Sequence, residues 1–173
     1  IFVRQFDVGF KVYKNNELVK VEGSEIFANI RVRFMLEKSG NEYWLGTENG
    51  MYIMNYNKVF PEKSTFHKSP CVIDEWMINN LVYSGTKLKN GNYIIGSQNN
   101  GAIYVDSNFN IIRAFNTSTG LQDNKVSQTY IDLAGNIWLA LNKGISYIEL
   151  NSPVTKWAKS DGINNTIESA LKF

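Results

Sequence analysis

The chain has 173 residues, 43% of them hydrophobic and 20% charged, the balance of ordinary globular material long enough to bury a core. Its 18 Lys and Arg stand against 16 Asp and Glu, and the lysines are scattered rather than blocked, so the net charge of +2 gives no electrostatic case for binding nucleic acid. No run of about 18 apolar residues is present to cross a bilayer as a helix, and a single cysteine, Cys71, cannot form an internal disulfide.

In chain order, Ile1-Phe2-Val3 and then Gly9-Phe10-Lys11-Val12-Tyr13 read as the back part of a structural unit spanning residues 1–28. A full unit follows at 29–79. Its apolar residues alternate at Val32, Phe34 and Leu36, the period of a half-buried strand. Ser39-Gly40 then supplies a tight hairpin, Tyr43-Trp44-Leu45-Gly46 a second strand, Asn49-Gly50 a second hairpin, and Met51-Tyr52 the start of a third strand. Within this unit the segment from Asn57 to Asn79 is the one sizeable insertion, containing Pro61, Pro70, Cys71, Asp74, Glu75 and Trp76. Pro61 and Pro70 bracket an irregular stretch that cannot be a central strand. Long connections are where binding function is commonly grafted; the plainer expectation here is an extended outer strand with a long loop.

The next unit, 80–123, repeats the order with Asn90-Gly91, Tyr93-Ile94-Ile95-Gly96 and Asn100-Gly101. A third, 124–164, has Ala134-Gly135-Asn136, Ile137-Trp138-Leu139-Ala140 and Gly144-Ile145-Ser146-Tyr147. Residues 165–173 read as the first strand of yet another unit. A start inside one unit and an end on a fresh strand predict a piece of a longer protein.

The second-hairpin glycines fall at Gly9, Gly50, Gly101 and Gly144, intervals of 41, 51 and 43 residues. An asparagine precedes the first strand of each unit at Asn29, Asn80, Asn124 and Asn165, and lies 21, 21 and 20 residues before the later glycine. A constant inner part with a variable outer part is what a β-propeller requires, because inner strands pack around an axis while outer strands reach solvent. The expected fold is therefore all-β: a propeller of four-stranded antiparallel blades, about four blades' worth. Trp44, Tyr93 or its neighbour Ile94, and Trp138 occupy matching second-strand positions and are expected to fill the space between blades.

The catalytic inventory is thin. His67 is the only histidine, so it is the only imidazole base on offer, and one Cys with one His excludes a Cys/His zinc site. Asp74 and Glu75 are adjacent and would point to opposite faces if they lay on a strand. The glycines begin hairpins rather than helices, so none forms a phosphate-cradling loop. No catalytic residue, metal site or cofactor is predicted.

Binding has more support. In a propeller, the turns between second and third strands share one rim with the turns leading into each first strand. That rim would gather Asp7, Glu48, Asn49, Gln98, Asn99, Asn100, Asn142 and Lys143 with Asn29, Asn79, Asn80, Gln122, Asp123, Asn124, Asn164 and Asn165. Amide side chains both donate and accept, which suits sugar hydroxyls; asparagine also favours turns for purely local reasons. The candidate ligand-binding residues are Asn49, Asn99, Asn100, Asp123, Asn124 and Asn142, with Trp76 and Trp157 as candidate stacking platforms.

The run Gly120-Leu121-Gln122-Asp123-Asn124-Lys125-Val126, then Asp132-Leu133-Ala134-Gly135-Asn136-Ile137-Trp138-Leu139-Ala140, then Gly144-Ile145-Ser146 resembles the two-component regulator propeller repeat. Trp44-Leu45-Gly46-Thr47-Glu48-Asn49-Gly50 matches the second half of that repeat, and Gly96 to Gly101 matches it with Tyr-Ile-Ile in place of the tryptophan strand. The chain departs from the pattern at Leu133-Ala134, where a polar turn is usual, and in the first unit, which keeps only Gly9. Ser152-Pro153 followed by Trp157 is similar to the link between repeats in bacterial regulators with a triple-tyrosine module.

The resemblance implies a periplasmic sensor ectodomain of a bacterial transmembrane regulator of the Bacteroidetes type. It implies a longer array, hence a part of a larger propeller. A ring closed by four blades' worth of strands stays open as an alternative. It also implies neighbouring propeller and triple-tyrosine domains in the same chain, a histidine kinase or DNA-binding output, and an oligosaccharide or other small ligand. Two further readings stand beside it: a structural propeller that mediates dimerisation, and a propeller lyase using His67 as base.

Overall fold

The computed structural model describes residues 1–150, which form fourteen strands in four antiparallel sheets. The first sheet holds β1 (Phe2–Gln5), β2 (Gly9–Lys14) and β3 (Glu17–Lys20). The second holds β4 (Val32–Ser39), β5 (Glu42–Thr47), β6 (Gly50–Asn55) and β7 (Thr65–Lys68). The third holds β8 (Val82–Lys87), β9 (Tyr93–Ser97), β10 (Ala102–Val105) and β11 (Ile111–Phe115). The fourth holds β12 (Val126–Ile131), β13 (Ile137–Leu141) and β14 (Ile145–Ile148).

Every sheet is a meander of consecutive strands. Most of the hairpins turn at glycines with positive φ, and at Gly9, Gly50 and Gly101 a side chain is also excluded by a close neighbour. A Cβ on Gly50 (φ 99°) would press on the Asp74 carboxyl group, and one on Gly101 (φ 68°) would collide with the carbonyl oxygen of Phe115.

The sheets stack face to face, with β4 against β8 and β8 against β12 at the inner edge. Three apolar layers lie between them. Phe10, Val12, Val21 and Phe27 meet Leu45, Tyr52 and Met54 between the first and second sheets. Phe34, Leu36, Trp44 and Ile53 meet Tyr93, Ile95, Ile103 and Phe109 between the second and third. Ile94, Ala102 and Phe115 meet Val126, Ile137 and Leu139 between the third and fourth. A second strand flanked on both sides is apolar on both faces. In β5, Trp44 therefore faces the third sheet and Leu45 the first; in β9, Ile95 faces the second sheet and Ile94 the fourth.

Cross-strand register sets Trp44, Ile94 and Trp138 as equivalents, since each pairs with the inner strand, at Leu36, Thr86 and Tyr130 respectively. Their environments diverge. Trp44 is 9% exposed, as expected of a residue filling the space between blades, but Trp138 is 39% exposed. The physical reason is that Trp138 lies on the free face of the fourth sheet, in a row with exposed Tyr130 and Tyr147. The far face of the first sheet is likewise open at Tyr13 and Leu18.

The stretch between Pro61 and Asn79 is more ordered than a loop. Pro61–Lys63 form one 3₁₀ turn, β7 completes the second sheet, and α1 (Asp74–Asn79) caps the layer between the second and third sheets with buried Met77 and the preceding Ile73.

Candidate functional site

The turns predicted to form a rim do adjoin one another through backbone bonds. The Glu48 N–H donates to the Arg31 carbonyl, Gln98 and Asn99 donate to Asn80, and Asn142 donates to Lys125. Each turn between second and third strands is thereby tied to the residues leading into its own inner strand. A second set ties neighbours together, from Asp7 N–H to Ala28 and from Gly101 N–H to Asn124.

Most of the candidate polar side chains on this rim are engaged locally. Asp123 accepts from the Lys125 N–H at 2.9 Å and from Asn142 Nδ2 at 3.4 Å, which brings those two candidates together. The Lys125 N–H, with help from Asn142, holds the Asp123 carboxyl below the usual carboxylate range. Asn124 Oδ1 accepts from the Thr117 N–H at 2.8 Å, and Asn100 Oδ1 accepts from Asn116 Nδ2 at 3.5 Å. Asn49 and Asn99 are exposed, Asn49 donating its backbone N–H to Thr47 Oγ1 at 3.0 Å. Trp76 sits in α1 half-buried against the core between the second and third sheets, an anchor for the helix rather than an open platform. Trp157, Asn164 and Asn165 lie outside the described residues.

The groups weighed for catalysis sit in exposed or structural settings. His67 is exposed on β7, opposite Ile53. Asp74 is taken up by structure: it accepts from the Met51 N–H at 3.0 Å and from the Cys71 thiol at 3.3 Å. Burial pushes the Cys71 thiol up to about 12, which leaves it protonated and poorly nucleophilic at neutral pH. Among the described residues no group of three or more His, Cys, Asp or Glu side chains is placed to hold a metal ion.

A cavity of about 550 Å³ lies elsewhere, between the second and third sheets. Trp44, Tyr93 and Phe109 form its floor, Lys38 and Lys87 stand at its edge, and the Pro70–Val72 segment closes one side. Its volume falls within the range of small-molecule sites. None of the rim candidates lines it, because it opens at the end of the sheets that carries the Gly40 and Gly91 hairpins, whereas the rim lies at the other end. Sequence reasoning missed it: Trp44 and Tyr93 were read as filling between blades, and Lys38, Lys87 and Phe109, which complete the lining, sit at no repeated position.

No protein-family model matches the chain, and no curated protein matches it significantly. Solved structures do match. The extracellular domain of BT3049, assigned to a hybrid two-component system of B. thetaiotaomicron, superposes with a TM-score of 0.63 at 17% identity, covering 86% of this chain and 21% of the other. The extracellular domain of BT4673 from the same organism, assigned to a one-component system, gives 0.56 at 21% identity over 87% and 20%. The WD40 β-propeller domain of Doa1 gives 0.53 at 14% identity over 85% and 45%. The fold is that of propeller blades. At these identities the likeness speaks to fold alone, and the chain spans about a fifth of the length of the two extracellular domains.

Proposed function

We propose that this chain is a non-catalytic, ligand-binding section of a sensor propeller in the extracytoplasmic part of a bacterial transmembrane signalling regulator, and that it responds to an oligosaccharide or similar small ligand. The observation that carries this reading is the shared blade architecture over most of the chain with extracellular domains of B. thetaiotaomicron signalling systems. The repeat pattern around Trp138 supports it from the sequence side. The use of Asp74 as a structural acceptor for the Met51 N–H and the Cys71 thiol, with His67 exposed on β7, supports a binding rather than a catalytic task.

A ligand acts on such a propeller only through different affinities for two arrangements of the blades or of their neighbours. The layer between two sheets is suited to this, because a small change of spacing there moves whole strands together. Calorimetric titration with a panel of oligosaccharides tests the reading; saturable heat with at least one member is expected, and silence across the panel counts against it.

A second reading is favoured by one observation. The exposed row of Tyr130, Trp138 and Tyr147 on the fourth sheet matches faces that are covered by a neighbouring sheet elsewhere in the chain. This supports a continuing array, with a further blade of a larger propeller on that face, or a dimer contact if the face is free in the mature protein. Light scattering of the chain and of a Trp138→Glu variant separates the two: self-association lost on substitution favours the dimer, and a monomer in both cases favours the further blade.

A further inference from the structure

Three departures from regular geometry converge on the cleft between the second and third sheets. The pairing of β4 with β5 shifts register between Glu37 and Ser39, leaving Lys38 as an extra residue in the ladder; such bulges re-aim a side chain. Phe109 takes a left-handed backbone (φ 63°), an uncommon conformation for a bulky residue. It stacks on Tyr93 at 5.1 Å between ring centroids and meets Trp44 edge-on, also at 5.1 Å. The Trp44 indole N–H is buried and, among the described residues, no acceptor meets it at full hydrogen-bonding geometry. It lies near enough to the Tyr93 phenol to pull on its pKa, yet burial dominates and raises it, so the phenol stays protonated.

Two lysines stand at the edge among carboxylates: Glu42 pairs with Lys38, and Glu37 lies near enough to add to the raised Tyr93 pKa. Lys38 Nζ lies 5.1 Å above the Trp44 ring and pairs with Glu42 at 2.8 Å. Lys87 Nζ approaches the Lys38 carbonyl at 3.4 Å, and among the described residues it has no carboxylate partner. A bulge that delivers one lysine and a second lysine without a carboxylate partner, over an apolar floor, together fit a small anion carried on a ring. We propose that this cleft binds an acidic sugar residue, its carboxylate held by Lys38 and Lys87 and its ring set over Trp44, Tyr93 and Phe109. This rests on the sensor reading above and assigns the ligand class and the place.

The test is calorimetric titration of the 173-residue chain with the disaccharides of galacturonate, glucuronate and mannuronate, each beside its neutral counterpart. Variants Lys87→Ala and Trp44→Phe are checked for unchanged circular dichroism; the second keeps an apolar ring and removes the indole donor. The expected result is saturable binding of at least one uronate pair with a Kd of about 1 mM or tighter, weakened about tenfold or more by Lys87→Ala, and no comparable binding of its neutral counterpart. Neutral and acidic sugars binding alike, with no effect of Lys87→Ala, would overturn the proposal while leaving the sensor reading intact. Silence towards every uronate would overturn it too, and the wider oligosaccharide panel would then judge the sensor reading by itself.

Discussion

The Asp74 carboxylate accepts the Met51 backbone N–H at 3.0 Å and lies against the spot where a side chain on Gly50 would project. One acid thereby fixes the second hairpin of the second sheet to the helix that caps the adjoining core. Asp74→Ala leaves that N–H without its partner and also frees the Cys71 N–H and thiol. The expected loss is about 1–3 kcal/mol, read as a lower urea midpoint with an unchanged slope.

Trp44 and Trp138 occupy the same register position in their blades but opposite situations. Trp44→Ala opens a cavity between two sheets and is expected to cost about 3–5 kcal/mol. Trp138→Ala removes a ring from an exposed face, where it packs on Tyr147 and donates to Asp132 Oδ2 at 3.1 Å, and is expected to stay within about 1 kcal/mol. Urea unfolding of both variants checks the contrast. Equal losses would contradict the open face of the fourth sheet.

Phe34 fills the inner edge of the layer between the second and third sheets. A Cβ on Gly46 would fall inside its ring, and one on Gly85 would press on the same ring at 2.9 Å from the side of the third sheet. Gly46→Ala is therefore expected to destabilise by about 1–3 kcal/mol through overpacking, and Gly46→Ala combined with Phe34→Leu to recover part of that loss. A double-mutant cycle reads the coupling.

Two groups give the chain a pH signature of known sign. The Cys71 thiol, raised from 9.0 to about 12, favours the folded state through its neutral form. Below about pH 9 that contribution is fully present, and it is lost as pH rises towards 12, because the unfolded chain ionises first. The Asp132 carboxyl is held low by the Asn136 N–H and by Trp138 Nε1. Its contribution is present above the ordinary carboxylate range and is lost as pH falls below it. Thiol-reagent labelling at pH 8 is expected to be slow in the folded chain and fast in urea, and Asp132→Asn to flatten part of the acid limb of a stability profile.

What the sequence revealed depended on whether repetition carried it. The hairpin glycines and the apolar second strands recur in the same order in each unit because every blade meets the same backbone demand, and they were legible. Helix α1 was not foreseen, although Ile73 and Met77 stand four apart with Asp74 and Glu75 in the first turn; Pro61 and Pro70 drew the reading towards a loop. The exposure of Trp138 was hidden because register says where a ring points and not whether another sheet lies there. The cleft was hidden for a different reason. Lys38 owes its position to a bulge and Phe109 to a left-handed turn, and neither leaves a spacing to count.

The central claim is that this chain binds a saccharide without transforming it, and saturation-transfer proton NMR with an oligosaccharide panel reads both halves at once. Transfer from protein to at least one oligosaccharide is expected, with the anomeric signals of that sugar unchanged on prolonged incubation. Absence of transfer across the whole panel, or new anomeric signals from a cleaved sugar, would contradict it.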